Sequence, residues 1–123
     1  MASPEPRGPR QILKALRYSI QGLRAAWTHE PSFRLEVWLF LPLAPLAFWL
    51  GESPVERALL FGCLILVLAL ELMNGAVEAI VDKTTPEIHE LAGRAKDMGS
   101  AAVFLAQMTV LLTWGLILLP RWI

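Results

Sequence analysis

Four polar residues interrupt an otherwise apolar stretch: Glu71, Asn74, Glu78 and Asp82. At 100° per residue, and with Glu71 at 0°, they fall at roughly 300°, 340° and 20°, one helical stripe about 80° wide. Gly75, Ala76 and Ala79 lie among them and allow another helix to approach closely. An ionisable group in a membrane-spanning segment costs at least about 2.5 to 3.5 kcal/mol on insertion scales, so such groups are functional candidates by default. The stripe reads as a catalytic or transport row. Two plainer readings stay open, pairing with a basic neighbour or another subunit, and a proton path.

Depth adds to direction. Residues 58–70 separate Glu71 from one end of its segment, roughly 20 Å of helical rise. Glu71 therefore lies past mid-membrane, with Glu78 about two turns closer to the other surface. Such a row reaches from lipid backbones to soluble nucleotides, and it suits a reaction between the two. Glu30, Glu36 and Glu78 are hard oxygen donors that would suit Mg²⁺ if they converged. His29 and His89 are far apart in sequence and form no ligand motif. The chain has neither GxxxxGK[ST] nor GxGxxG, so any phosphate clamp must come from residues such as Lys96 and Arg24 and from free helix-start N–H groups.

The elements that must hold this row are apolar. The chain has 123 residues, enough for one domain, with 55% hydrophobic residues and zero formal net charge. No global field invites nucleic acid. The apolar excess sits in three blocks, 37–50, 58–81 and 98–119. The third carries no charge and would span roughly 33 Å as a helix, about a bilayer core. Prolines 42 and 45 fall in the first block. Residues 51–54 make a tight loop, and 83–86 interrupt the chain after the second block. Cys63 is the single cysteine and excludes an intrachain disulfide.

The expected fold is all-α: an amphipathic surface helix over 12–28, then transmembrane helices over about 33–51, 55–82 and 97–119. Residues 1–11, rich in proline and without an apolar run, read as a disordered lead-in to a single membrane domain. Arg7, Arg10, Lys14, Arg17, Arg24 and Arg34 precede the first span, and Lys83, Arg94 and Lys96 lie between the second and third. Only Arg57 and Arg121 fall on the other side. This bias sets the N-terminus and the chemistry on the cytoplasmic face.

Three stretches carry a resemblance. Tyr18-Ser19, Gly22-Leu23-Arg24-Ala25-Ala26-Trp27, Glu30, Phe33-Arg34 and Glu36 form the first. Glu71, Asn74, Glu78-Ala79 and Val81-Asp82 form the second. The third is His89-Glu90-Leu91 followed by Gly93-Arg94-Ala95-Lys96-Asp97-Met98-Gly99-Ser100-Ala101-Ala102. In order and spacing they closely resemble the prokaryotic diacylglycerol kinase family, whose relatives include undecaprenol kinases.

The resemblance implies a homotrimer in the bacterial inner membrane, with ATP as donor, Mg²⁺ as cofactor, and active sites between subunits. Glu71 matches the family's catalytic base, and Glu30 and Glu78 its metal-holding carboxylates. Asn74 matches a residue supporting the base and the reacting phosphate. Lys96 and Asp97 match the nucleotide-phosphate region, and Tyr18, Glu87 and His89 positions lining the nucleotide. Arg24, Arg34, Glu36, Ser100 and Trp114 are lipid-side or helix-supporting candidates. Gln11 stands where the family often has arginine; Arg10 is the candidate substitute, turned by about 100°. The implied reaction is in-line attack of a lipid hydroxyl on the γ-phosphorus, giving phosphatidic acid from diacylglycerol. The rivals are the same chemistry on undecaprenol and a non-enzymatic proton-conducting or assembly protein.

Overall fold

The computed structural model describes residues 8–83 and 89–123, the side chain of His89 excepted. Four helices follow one another: α1 Pro9–His29, α2 Pro31–Leu50, α3 Pro54–Lys83 and α4 His89–Trp122. Proline opens three of them, where its missing N–H is one the helix start would leave unbonded anyway and its fixed φ suits the first turn. Pro9 is why α1 starts ahead of the expected residue 12. The part of the expected lead-in over 8–11 is thus the cap and first turn of a helix, while 1–7 lie outside the described residues.

The expected bounds also shift at the join of the first two helices. Helices expected to end at 28 and restart near 33 are separated by Glu30 alone. Its extended backbone (φ −116°, ψ 98°) caps the end of α1 and the start of α2. Glu30 N–H donates to Ala26 O at 2.8 Å, and Arg34 N–H donates to Glu30 O at 3.2 Å. Arg34 also reaches back across the corner, its Nη1 donating to Trp27 O at 2.7 Å and to Thr28 O at 3.2 Å. A cation on the final carbonyls of α1 suits both their unmet bonding and the helix dipole.

The opposite end is closed with similar care. Ser53 caps α3 by accepting from Glu56 N–H at 3.1 Å, and Glu56 Oε1 accepts from Glu52 N–H at 3.0 Å, a variant of the capping box. Arg57 Nε and Arg121 Nη1 donate to Phe48 O and Leu50 O, carbonyls left open where α2 ends. Arg121 also pairs with Glu56 and with Glu52. α4 starts eight residues before the expected 97, since His89 to Asp97 contains nothing that breaks a helix beyond a tolerated Gly93.

α3 is the central helix, packed against α2 on one side and α4 on the other. Its buried residues are Leu60, Cys63, Leu64, Val67, Glu71 and Gly75, steps of three and four along one face. The apolar core stripe therefore runs directly into an acid. Phe61 stacks at an angle on Phe40 and Phe48 of α2, with centroids 5.7 and 5.1 Å away. Three helices, Pro31–Leu50, Pro54–Lys83 and Glu90–Trp122, are long and apolar enough to cross a membrane. Many of their large apolar side chains, including Trp49, Leu105, Leu112 and Leu116, are exposed rather than packed in the chain's own core. A surface of this kind asks for acyl chains or further protein around it.

Candidate active site

Glu71 is the one buried charged side chain among the described residues, at 5% exposure. It occupies a core position of α3 with Val67 one turn before and Gly75 one turn after. Glu36 from α2, Glu78 from α3 and Glu30 from the α1–α2 corner all lie close enough for their charges to bear on it. None of the four has an ion-pair partner among the described residues. Four acids thus gather where the core stripe ends, with no cation paired to them among the described residues.

Glycines set how closely they gather. A Cβ on Gly75 would meet Glu30 Cγ, Cδ and Oε1 at 3.1 Å, tighter than side chains ordinarily pack. The bare backbone at Gly75 is what lets the Glu30 carboxylate rest on α3, one turn from Glu78. Gly99 does the same on α4, since a Cβ there would collide with Asn74 Oδ1. Asn74 Nδ2 donates to Glu78 Oε1 at 3.3 Å, while its Oδ1 is buried with no partner among the described residues. An unmet buried acceptor is unfavourable until something donates to it or coordinates it.

The donor set is made of hard oxygens from Glu30, Glu78 and Asn74. It suits Mg²⁺, which takes one or two carboxylates and completes its shell with phosphates and water. No group of three or more His, Cys, Asp or Glu among the described residues closes a metal cage.

Other expected residues are distributed around this row. Lys96 Nζ stands 3.2 Å from Asp82 Oδ1, bridging α4 and α3 beyond Glu78. Asp97 and Ser100 are exposed on α4 within a turn of Lys96. Arg24 lines an apolar groove with Trp27, Phe33 and Phe40, between α1 and the spans. Arg34 braces the α1–α2 corner, as described.

Trp114 is set apart: its Nε1 donates to Leu60 O at 3.1 Å, roughly 16 Å of α3 rise from Glu71. Tyr18, 64% exposed, and Arg10, also exposed, stand roughly 18 and 30 Å along the unbroken α1 from Glu30. One chain does not bring them to the row. Glu87 lies outside the described residues, and of His89 only its place at the start of α4 is described.

Two residues of the site escaped the sequence reading. Gln107 donates from α4 to Glu36 Oε1 at 2.9 Å, and Gly99 admits Asn74. For Gln107 the signal was present, a lone amide inside an uncharged apolar block. Gly99 lies inside the third stretch of the resemblance, but nothing local marks it as the seat of Asn74.

Comparison with known proteins gives the family. Residues 17–118 match the family described as prokaryotic diacylglycerol kinase. A diacylglycerol kinase from Haemophilus influenzae is 48% identical over 111 residues, 90% of this chain and 94% of that one. That of Escherichia coli K12 is 46% identical over 108 residues, 88% of each chain. That of Pseudomonas aeruginosa is 46% identical over 121 residues, 95% of this chain and 98% of its own. Matches of this length run through both the carboxylate row and the corner that aims Glu30, and the chain belongs to the prokaryotic diacylglycerol kinase family.

Proposed function

We propose that this chain transfers the γ-phosphoryl group of Mg-ATP to the primary hydroxyl of diacylglycerol, giving phosphatidic acid and ADP. The observation that carries the reading is Glu71, buried at the end of the apolar core stripe beside acids that have no ion-pair partner among the described residues. A base for a lipid hydroxyl must sit where lipid reaches, and its neighbours must face the nucleotide. The diacylglycerol kinase relatives support the same substrate pair.

In this mechanism Glu71 accepts the hydroxyl proton as the lipid oxygen bonds to the γ-phosphorus and the bond to the β–γ bridging oxygen breaks. ADP leaves with that electron pair, and Glu71 returns its proton to water. Asn74 orients the reacting groups through its amide, beside Glu71 and hydrogen-bonded to Glu78. Lys96, on the solvent side of the row with Asp97, meets the charge of the phosphates. Glu30 and Glu78 would hold the Mg²⁺ that accompanies ATP, which would supply neutralisation of phosphate charge. Tyr18, Arg10, Glu87 and His89 belong to the nucleotide side, and Arg24, Glu36 and Ser100 to the lipid side.

The assembly proposed is a homotrimer in the bacterial inner membrane, with α1 on the cytoplasmic surface. The distance of Tyr18 and Arg10 from Glu30 supports a site completed by a neighbouring subunit. Arg10, Lys14, Arg17 and Arg24 on α1, with Lys83, Arg94 and Lys96, support a cytoplasmic active face. The test is ATP turnover by the purified protein in mixed micelles with diacylglycerol, with undecaprenol, and with neither. Diacylglycerol-dependent formation of phosphatidic acid is expected. Preference for undecaprenol would reassign the acceptor, and lipid-independent silence would return the chain to a non-enzymatic role.

A further inference from the structure

Gln107 and Glu36 are 71 residues apart in sequence and meet through one hydrogen bond, Gln107 Nε2 donating to Glu36 Oε1 at 2.9 Å with both groups part-buried. They are the two strongly polar residues lining a cavity of about 300 Å³ between α2, α3 and α4. Its walls are otherwise apolar, among them Leu39, Phe40 and Leu43 of α2, Val67 of α3 and Leu111 of α4. Val67 precedes Glu71 by one turn on the same face. The cavity therefore begins where the carboxylate row stops and runs toward the α2–α3 hairpin.

Glu36 is in an awkward place for an anion. Its charge bears on the buried Glu71, and no cation pairs with it among the described residues. An anion with apolar walls around it needs a donor, and a neutral amide supplies one without cancelling the charge. Gln107 does so from a helix with no charged residue between Met98 and Leu119.

We propose that Gln107 is a positioning residue of the phosphoryl-transfer site, its amide fixing the Glu36 carboxylate at the mouth of this cavity, beside Glu71 and facing the acceptor lipid. The proposal rests on the kinase reading above. Gln107 acts through Glu36 and touches no reacting atom.

Gln107→Met keeps length and bulk and removes the donor. Its kcat with diacylglycerol is expected to fall roughly tenfold, the size of one lost hydrogen bond to a charged group, with KM for ATP within about twofold of the parent. A second variant separates positioning from mere structure. Gln107→Glu combined with Glu36→Gln exchanges donor and acceptor, restoring the bond while moving the carboxylate to α4. This pair is expected to regain the parent's Tm and still lack its kcat.

Recovery of both Tm and kcat in the exchanged pair would reduce the contact to a structural tie and overturn the proposal. So would Gln107→Met with parental kcat, or one whose KM for ATP rises in step. Should the exchanged pair fail to fold, the split between kcat and KM in folded Gln107→Met decides alone. A parent that forms no phosphatidic acid sinks the kinase reading and this proposal together, whereas an active parent with an indifferent Gln107→Met sinks only the latter.

Discussion

Glutamate occupies both ends of this helical bundle under opposite conditions. At the hairpin end, Glu52 and Glu56 meet Arg121, while Arg57 and Arg121 also close the open carbonyls of α2. Every strong charge there has a local answer. At the other end, Glu30, Glu36, Glu71 and Glu78 gather with no cation paired to them among the described residues, and neutral amides bond two of them, Asn74 on Glu78 and Gln107 on Glu36. A fold that can pair its acids so fully at one end, and does not at the other, holds the second set in readiness for something that arrives. Balanced charges describe a joint; unbalanced ones describe a site.

The contrast can be broken most sharply at Glu71. Glu71→Gln keeps the shape and removes the base, so kcat should fall by about 10²- to 10⁴-fold while the protein folds at least as well as the parent. Near-normal turnover would show that the acid gathering is not chemical. Glu78→Ala should likewise lose activity by about a hundredfold and should not recover at saturating Mg²⁺. Full rescue by a non-coordinating salt would reduce Glu78 to bulk electrostatics.

Gly75→Ala probes the space between the acids. It places a methyl against the Glu30 carboxylate, and a rise of about tenfold in the Mg²⁺ needed for half-maximal rate is expected. An unchanged Mg²⁺ requirement would show that Glu30 has other room. Arg121→Ala sharpens the comparison from the other side. It should lower Tm by a few degrees and leave kcat within about twofold, since the hairpin end holds the helices and lies far from Glu71. Asp82→Asn should change least. Its pair with Lys96 is exposed on both sides, so stability should shift by less than about 0.5 kcal/mol by thermal or denaturant unfolding.

Much of this was legible in the residues. The α3 stripe could be read because one polar set recurs at helical spacing in an apolar field, and the same spacing gives the buried face from Leu60 to Gly75. Proline stands at the first helical position of α1, α2 and α3, a signal that the expected starts at 12, 33 and 55 left unused. What stayed hidden was rotation about α4. A helix that is apolar on nearly every side carries no periodic signal for which residue faces which neighbour. The contacts of Gln107 with Glu36 and of Trp114 with Leu60 follow from packing across 71 and 54 residues of chain, and no local pattern encodes them. Tyr18 and Arg10 stood apart for a related reason, because a continuous α1 carries them away from the corner.

The turn at Glu30 has no spare residue. The peptide that redirects the chain from α1 into α2 is also the one bearing the acid that rests on Gly75, and Arg34 ties both sides of the bend. Orientation of that acid is thereby slaved to the angle between two helices. A single residue inserted on either side of it would swing one helix by about 100° relative to the other and carry the carboxylate off its glycine seat. Length at this bend is as tightly fixed as chemistry, and deletions or insertions there should be tolerated worse than most substitutions.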